Sequence, residues 1–276
     1  GEGAGIIKGT GYVVWPEMRT KGRSYEDVLA EAQALGYAEA DPTFDVDGTD
    51  AAHKLVILAS LAFGLPLDAE APVKQGIQAI TPEDLEFAAS MGYRVKHLGI
   101  ARRQGDRVEM RVHPTLIPEQ KQLANVDGVL NAIMIKGDAV GELVLVGPGA
   151  GGAATASAVC ADLADIARTV AGSGPALGVP MGQLKSQVLV PADDIESEWY
   201  VRLAASDCAG VMSDITQVLA NHDVSIESLL QNPPREDQAT VSIVLLTHVA
   251  SASVMTAVMQ EITTLTEVET DFTLLR

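Results

Sequence analysis

Cysteine is nearly absent: Cys160 and Cys208 are the two in 276 residues, which excludes a disulfide scaffold. Both sit in apolar contexts without metal-ligand spacing, and such usage implies a reduced, cytoplasmic setting. Positive charge is scarce, with 19 Lys and Arg against 37 Asp and Glu, a formal net charge of -18. That balance argues against non-specific binding to nucleic acid or to an anionic membrane. No apolar run approaches the roughly 20 residues of a membrane-spanning helix, and no secretory leader pattern is visible. Two nucleotide fingerprints are lacking as well. No strand runs into GxGxxG with an acidic residue at the expected distance, and no glycine run is followed by a Walker lysine. Aromatic residues are only 4%. What remains is a 47% apolar chain with 25 glycines, long enough for one to three domains with full cores.

The chemistry-bearing residues concentrate between Gly36 and Lys54. Five carboxylates (Glu39, Asp41, Asp45, Asp47, Asp50) and one lysine share these nineteen residues. Helical patterns flank them. SYEDVLAEAQALG has Ser24 as a cap, Asp27 three residues on and Gly36 as a stop. AAHKLVILASLAFG follows, with Thr49 or Asp50 as the expected N-cap and an almost wholly apolar continuation that reads as buried. Asp50 and Lys54 are four apart and share one face near the helix start. The pair is either a surface ion pair beside a solvated loop or the polar wall of a substrate pocket. The loop's carboxylates could also bind a divalent cation, although their spacing does not match a calcium loop.

Further along, TPEDLEFAASMG reads as a helix capped by Thr81, with Pro82 in its first turn and Gly92 at its end. VKHLGIAR and VEMRVHPTL read as antiparallel strands turning at Gly105 and Asp106, with His113 at the second strand's end, where it caps or packs or else faces a pocket. VLNAIMIKG and GELVLVGPG form another such pair. The second strand runs into Gly147, Pro148, Gly149, Ala150, Gly151 and Gly152, ahead of a small-residue helix from about Thr155. Outward amide hydrogens there suit an anion or cofactor edge, and a tight turn with close helix packing explains the same residues equally well. A glycine- and proline-rich stretch, 171–197, divides the chain into a domain over 1–170 and another over 198–276. The second domain alternates strand, helix, strand, strand, helix, strand: a ferredoxin-like βαββαβ unit in which Gly210 leaves room for a small ligand. His222 and His248 read as surface residues. The fold class is therefore α+β, a mixed or antiparallel sheet with helices followed by the βαββαβ unit.

GYAEADP with DVDGTDAAHKL, the GDAVG turn, and GPGAGG followed by TASAV and DL closely resemble the catalytic and dimerisation part of homoserine dehydrogenases. The terminal unit, with Asp207 to Gly210 and VSIESLLQ after its helix, resembles an ACT domain. The resemblance covers about residues 20–168 and 198–270. It implies reversible reduction of L-aspartate 4-semialdehyde to L-homoserine with NAD(P)H, in threonine, methionine and isoleucine biosynthesis. Glu39, Asp45 and Asp50 then line the substrate pocket, and Lys54 carries acid/base chemistry. Gly149, Gly151, Thr155 and Ala156 approach the nicotinamide, and Asp207 and Gly210 border a regulatory amino-acid ligand, with threonine the expected effector. A homodimer or homotetramer and a monovalent cation are also implied. The family places a dinucleotide-binding domain ahead of this region. These residues hold none, and residues 8–13 depart from the family's corresponding segment, so no cation ligand is assigned. The 276 residues alone are expected to bind NAD(P) poorly. The rival from another class is a non-catalytic amino-acid-binding regulator without a cofactor domain.

Overall fold

The computed structural model describes residues 2–6, 15, 17–18, 23–34, 41–128, 130–149, 151–168, 184–231 and 240–276. They form two compact units, residues 1–78 with 92–189, and 79–91 with 190–276. The first unit opens with β1 (Glu2–Ile6), α1 (Tyr25–Ala34), the single turn α2 (Thr43–Val46), α3 (Thr49–Phe63) and β2 (Val73–Lys74). The chain then gives α4 (Pro82–Ser90) to the second unit. It returns for β3 (Tyr93–Gln104), β4 (Arg107–Pro118), β5 (Leu130–Gly137), β6 (Gly141–Pro148), α5 (Gly152–Arg168) and β7 (Val188–Leu189).

The first sheet has the order β2-β4-β3-β1-β5-β6, with β7 also on β4. Its long strands are antiparallel, while the two-residue strands β2 and β7 run parallel to β4. The mixed sheet expected from the sequence is thus present. One addition is β1, which bridges β3 and β5. Its alternating glycines hid it, because EGAGI carries almost no strand-forming side chains.

Alternation along β3 supplies both faces of this sheet. Ala101 joins Val108, Met110 and Val112 under Ala51, Ala52, Leu55 and Ala59 of α3. Leu98 and Ile100 instead join Leu123, Ala124, Val126 and Ala132. The wholly buried helix expected after Lys54 is corrected here: Ile57 is 50% exposed and Leu61 46%, so α3 buries one stripe only. A single-sided contact with the sheet covers one helix face and leaves the other open. His113 lies within β4 rather than at its end and is buried. Both cysteines are exposed despite their apolar neighbours in sequence. Helix α5 begins at Gly152, three residues ahead of the expected Thr155, because the glycines enter its first turn.

The second unit adds β8 (Glu196–Ser206), α6 (Val211–Asn221), β9 (Ile226–Gln231), β10 (Thr240–Ser251), α7 (Ala252–Ile262) and β11 (Val268–Leu275). Its antiparallel sheet runs β11-β8-β10-β9, the βαββαβ arrangement read from the sequence. Val201, Leu203, Val241, Ile243 and Leu245 pack with Ile215 and Leu219 of α6 and Met255 and Val258 of α7. The alternate residues of β8 face away from that core, and there Tyr200 and Arg202 bond to Asp84 of α4. His222 pairs with Glu261 at 2.9 Å on the surface, and His248 is exposed, both as expected.

Candidate active site

The acidic stretch folds as two helical pieces hinged at Gly48. The Thr43 amide donates to Asp41 Oδ1 at 3.1 Å, starting α2, and the Thr43 hydroxyl and amide hold the Asp41 carboxyl below its usual range. Gly48 then takes φ 87°, a left-handed value that costs a side-chain-bearing residue energy. This turn makes Gly48 the N-cap of α3, correcting the expected Thr49 or Asp50. Asp47 supplies the capping oxygen, its Oδ1 accepting the Thr49 amide at 2.9 Å. Thr49 and Asp50 are therefore already helical.

Asp50 and Lys54 come together one turn apart, with Nζ 2.7 Å from Oδ2. Their side chains are 20% and 37% exposed, so the charged ends face solvent at the wet end of a helix whose opposite stripe is buried. An ion pair this open stabilises by at most about 1 kcal/mol, too little to explain the charge density of the stretch. Lys74 Nζ lies 3.4 Å from the Thr49 hydroxyl. Asp45 sits one short helix earlier, partly buried. Glu39 lies outside the described residues.

The segment between β2 and α4, which sequence patterning leaves as an unremarkable loop, braces this site. The Gln75 amide donates to Val112 O at 2.8 Å, and the Ile77 amide donates to Val46 O at 2.9 Å. Between them, Gly76 leaves no room for a side chain: a Cβ there would stand 2.6 Å from Val46 O and 3.0 Å from the Asp47 Cα. His97 closes the brace, with Nε2 3.0 Å from Gln75 O and its ring against Gly48. Burial lowers the His97 pKa, against the opposing pull of Gln75 O and Asp47. A neutral ring can still donate from Nε2 to the carbonyl. Nothing in the motif HLGIA marks this histidine, because a strand histidine facing a loop has no spacing signature. The tight glycine of VKQGIQ was the readable signal.

The glycine segment forms a separate feature at the end of β6. Positions 147, 151 and 152 have no atom within 4 Å of a built Cβ, whereas at Gly149 that space is filled by the Asn131 side chain. Gly151, Thr155 and Ala156 are exposed, and the Thr155 amide donates to Gly151 O at 3.0 Å. The open glycines at 151 and 152 leave space beside the helix start, while at Gly149 the Asn131 side chain takes that space. Among the described residues no hydrogen bond joins this segment to Asp50 or Lys54. In the second unit Gly210, at φ 107°, opens α6 with free space around it, and Asp207 is exposed beside it.

Among the described residues no three His, Cys, Asp or Glu side chains gather as metal ligands, so the carboxylates of the 41–50 loop form no such cluster. No helix among them is long and apolar enough to cross a membrane. An apolar surface is nonetheless present. Helix α5 has no buried residue, and Val159, Leu163 and Ile166 are more than half exposed at helical spacing. Leu143, Leu145 and Val146 of β6 are exposed as well.

Comparison with known proteins gives these features a context. The family model for homoserine dehydrogenase matches residues 2–164, and that for the ACT domain matches residues 200–267. A homoserine dehydrogenase of Pseudomonas aeruginosa is 49% identical over 249 residues, covering 89% of this chain and 57% of its own. One from Helicobacter pylori is 42% identical over 264 residues, covering 96% and 62%. The crystal structure of a homoserine dehydrogenase from Thiobacillus denitrificans matches with a TM-score of 0.92 and 45% identity, over 100% of this chain and 63% of that one. The chain thus spans about three fifths of the length of these relatives.

Proposed function

The chain belongs to the homoserine dehydrogenase family, and we propose that it forms the substrate-holding part of an NAD(P)-dependent enzyme interconverting L-homoserine and L-aspartate 4-semialdehyde. The observation that carries this reading is the Asp50–Lys54 pair, 2.7 Å apart at the open end of α3 and mounted on a loop braced from behind.

The substrate carries an α-ammonium and α-carboxylate at one end and an aldehyde or alcohol at the other. Asp45, Asp50 and Glu39 supply the negative charge that an ammonium group requires. Lys54, held in place by Asp50, presents Nζ to the carbonyl oxygen. A nicotinamide cofactor, when bound, would supply the hydride, and Gly149, Gly151, Thr155 and Ala156 are the residues of this chain that would line its edge. As the C=O π bond opens, the oxygen takes a proton from the Lys54 ammonium, giving the alcohol and a neutral amine. In the reverse direction the amine takes the hydroxyl proton while hydride leaves the carbon. The process belongs to cytoplasmic synthesis of threonine and methionine.

The ACT domain is the site of an amino-acid effector, threonine being the expected one, at the open turn formed by Asp207 and Gly210. A second copy of the chain covers the exposed apolar stripes of β6 and α5, making the protein a homo-oligomer. In the intact polypeptide, Lys54→Ala is expected to reduce turnover at least about a hundredfold with folding unchanged. Lys54→Arg is expected to be similarly poor, because a guanidinium stays protonated. Near-normal turnover in Lys54→Ala removes the acid/base role.

A further inference from the structure

Helix α4 lies in sequence within the dehydrogenase-family match and in space within the ACT unit. Its attachment there is polar and deeply buried. Asp84, with no exposed surface, closes a capping box with Thr81, accepting the Thr81 amide at 2.9 Å and its hydroxyl at 2.8 Å. The same carboxylate accepts the Tyr200 hydroxyl at 2.9 Å and Arg202 Nε at 2.6 Å, both from β8. Arg202 also donates to Thr273 of β11 at 2.7 Å, and Ser242 of β10 donates to Glu83 at 2.8 Å. Three of the four strands thus address one helix. They do so from the sheet face opposite α6 and α7, as the alternation of Tyr200 and Arg202 with Val201 and Leu203 requires. An isolated capping box needs only its own two residues. A buried carboxylate with this many donors fixes the helix to the sheet far more firmly than a cap would.

The chain entering α4 is the brace of the candidate active site. Only Gln78, Ala79 and Ile80 separate Ile77, whose amide holds Val46 O, from Thr81, which caps α4. We propose that α4 is the output element of the ACT domain. It is locked to β8 through Asp84, and it transmits the state of that sheet through Gln75–Ile77 to the backbone of Val46 and Asp47, beside the substrate carboxylates. This rests on the regulatory reading of the ACT domain, and it adds the route by which an amino-acid ligand on that domain reaches the substrate loop.

Amide hydrogen exchange of the parent chain, Tyr200→Phe and Arg202→Met tests the route without any assay of catalysis. Tyr200→Phe removes one donor to Asp84 and keeps the ring. It is expected to speed exchange of the Leu85 amide in α4, of the Met91 amide at its C-cap and of the Ile77 amide by about threefold, and Arg202→Met by tenfold or more. Amides of β3 and β4 are expected to keep their parent rates. Faster exchange in α4 with Ile77 unchanged overturns the proposal, as does no change in either place. Acceleration spread equally over β3 and β4 also overturns it, because the coupling is then global rather than carried by the brace. Should the protein prove not to oxidise homoserine, these exchange rates still decide the coupling.

Discussion

Gly76→Ala puts the brace under direct strain. The added methyl would meet Val46 O at 2.6 Å and the Asp47 Cα at 3.0 Å, and both are backbone atoms that cannot rotate away. The Gln78 side chain also occupies that space, but it is flexible and can move at little cost. Relief requires the Gly76 segment to withdraw from the Val46–Asp47 backbone, which lengthens the 2.9 Å bond from Ile77 to Val46 O. Overpacking of this kind costs about 1–3 kcal/mol, and a lost hydrogen bond about 1 kcal/mol. A loss of roughly 2–3 kcal/mol follows, or on the order of 5–10 °C in Tm for a protein of this size. Gly147→Ala is the control, since no atom lies within 4 Å of its added Cβ. It is expected to change stability by less than about 1 kcal/mol. Thermal and urea unfolding measured side by side give the comparison. In the active enzyme the displaced loop carries Asp45 and leads into Asp50, so KM for homoserine is expected to rise more than kcat falls. A Gly76→Ala protein as stable as Gly147→Ala refutes the brace.

Three other outcomes are expected. Burial lowers the pKa of His97, so the unfolded chain takes up the proton first, and its contribution to stability is complete above about pH 6.5 and lost as pH falls towards the folded value. His97→Gln keeps a donor for Gln75 O and does not titrate, so it should lose less stability than the parent between about pH 7.5 and 5.5; equal losses in urea titrations contradict this. Thr81→Ala removes the hydroxyl that Asp84 and Arg202 share and should destabilise the second unit by about 1 kcal/mol, read by urea unfolding followed at Trp199. Leu163→Lys on α5 places a charge in the exposed apolar stripe and should lower the mass measured by light scattering to that of a smaller assembly, whereas an unchanged mass excludes that stripe from the interface.

Much of the architecture was legible because it rests on local chemistry. The Thr81-Pro82-Glu83-Asp84 start of α4 announces a cap, and alternation in the β8 and β10 segments announces a half-buried sheet. The Asp50–Lys54 pair was equally visible, since spacing four on a helix brings the two groups together wherever the helix sits. The rest depends on contacts distant in sequence. Asp84 reads as an ordinary capping residue until Tyr200 and Arg202 are found on it, more than a hundred positions away. Gly48 displaced the expected caps because a left-handed turn outranks a side-chain preference, and periodicity carries no sign of it. Strand β1 escaped for the opposite reason: its pairing is backbone to backbone, with little side-chain pattern to read.

The most direct measurement is the initial rate of nicotinamide reduction with L-homoserine, made on the full natural polypeptide that carries these residues. The account predicts a saturable rate that requires homoserine and collapses in Lys54→Ala, with cofactor binding retained. A protein that binds the cofactor and still shows no homoserine-dependent rate contradicts it.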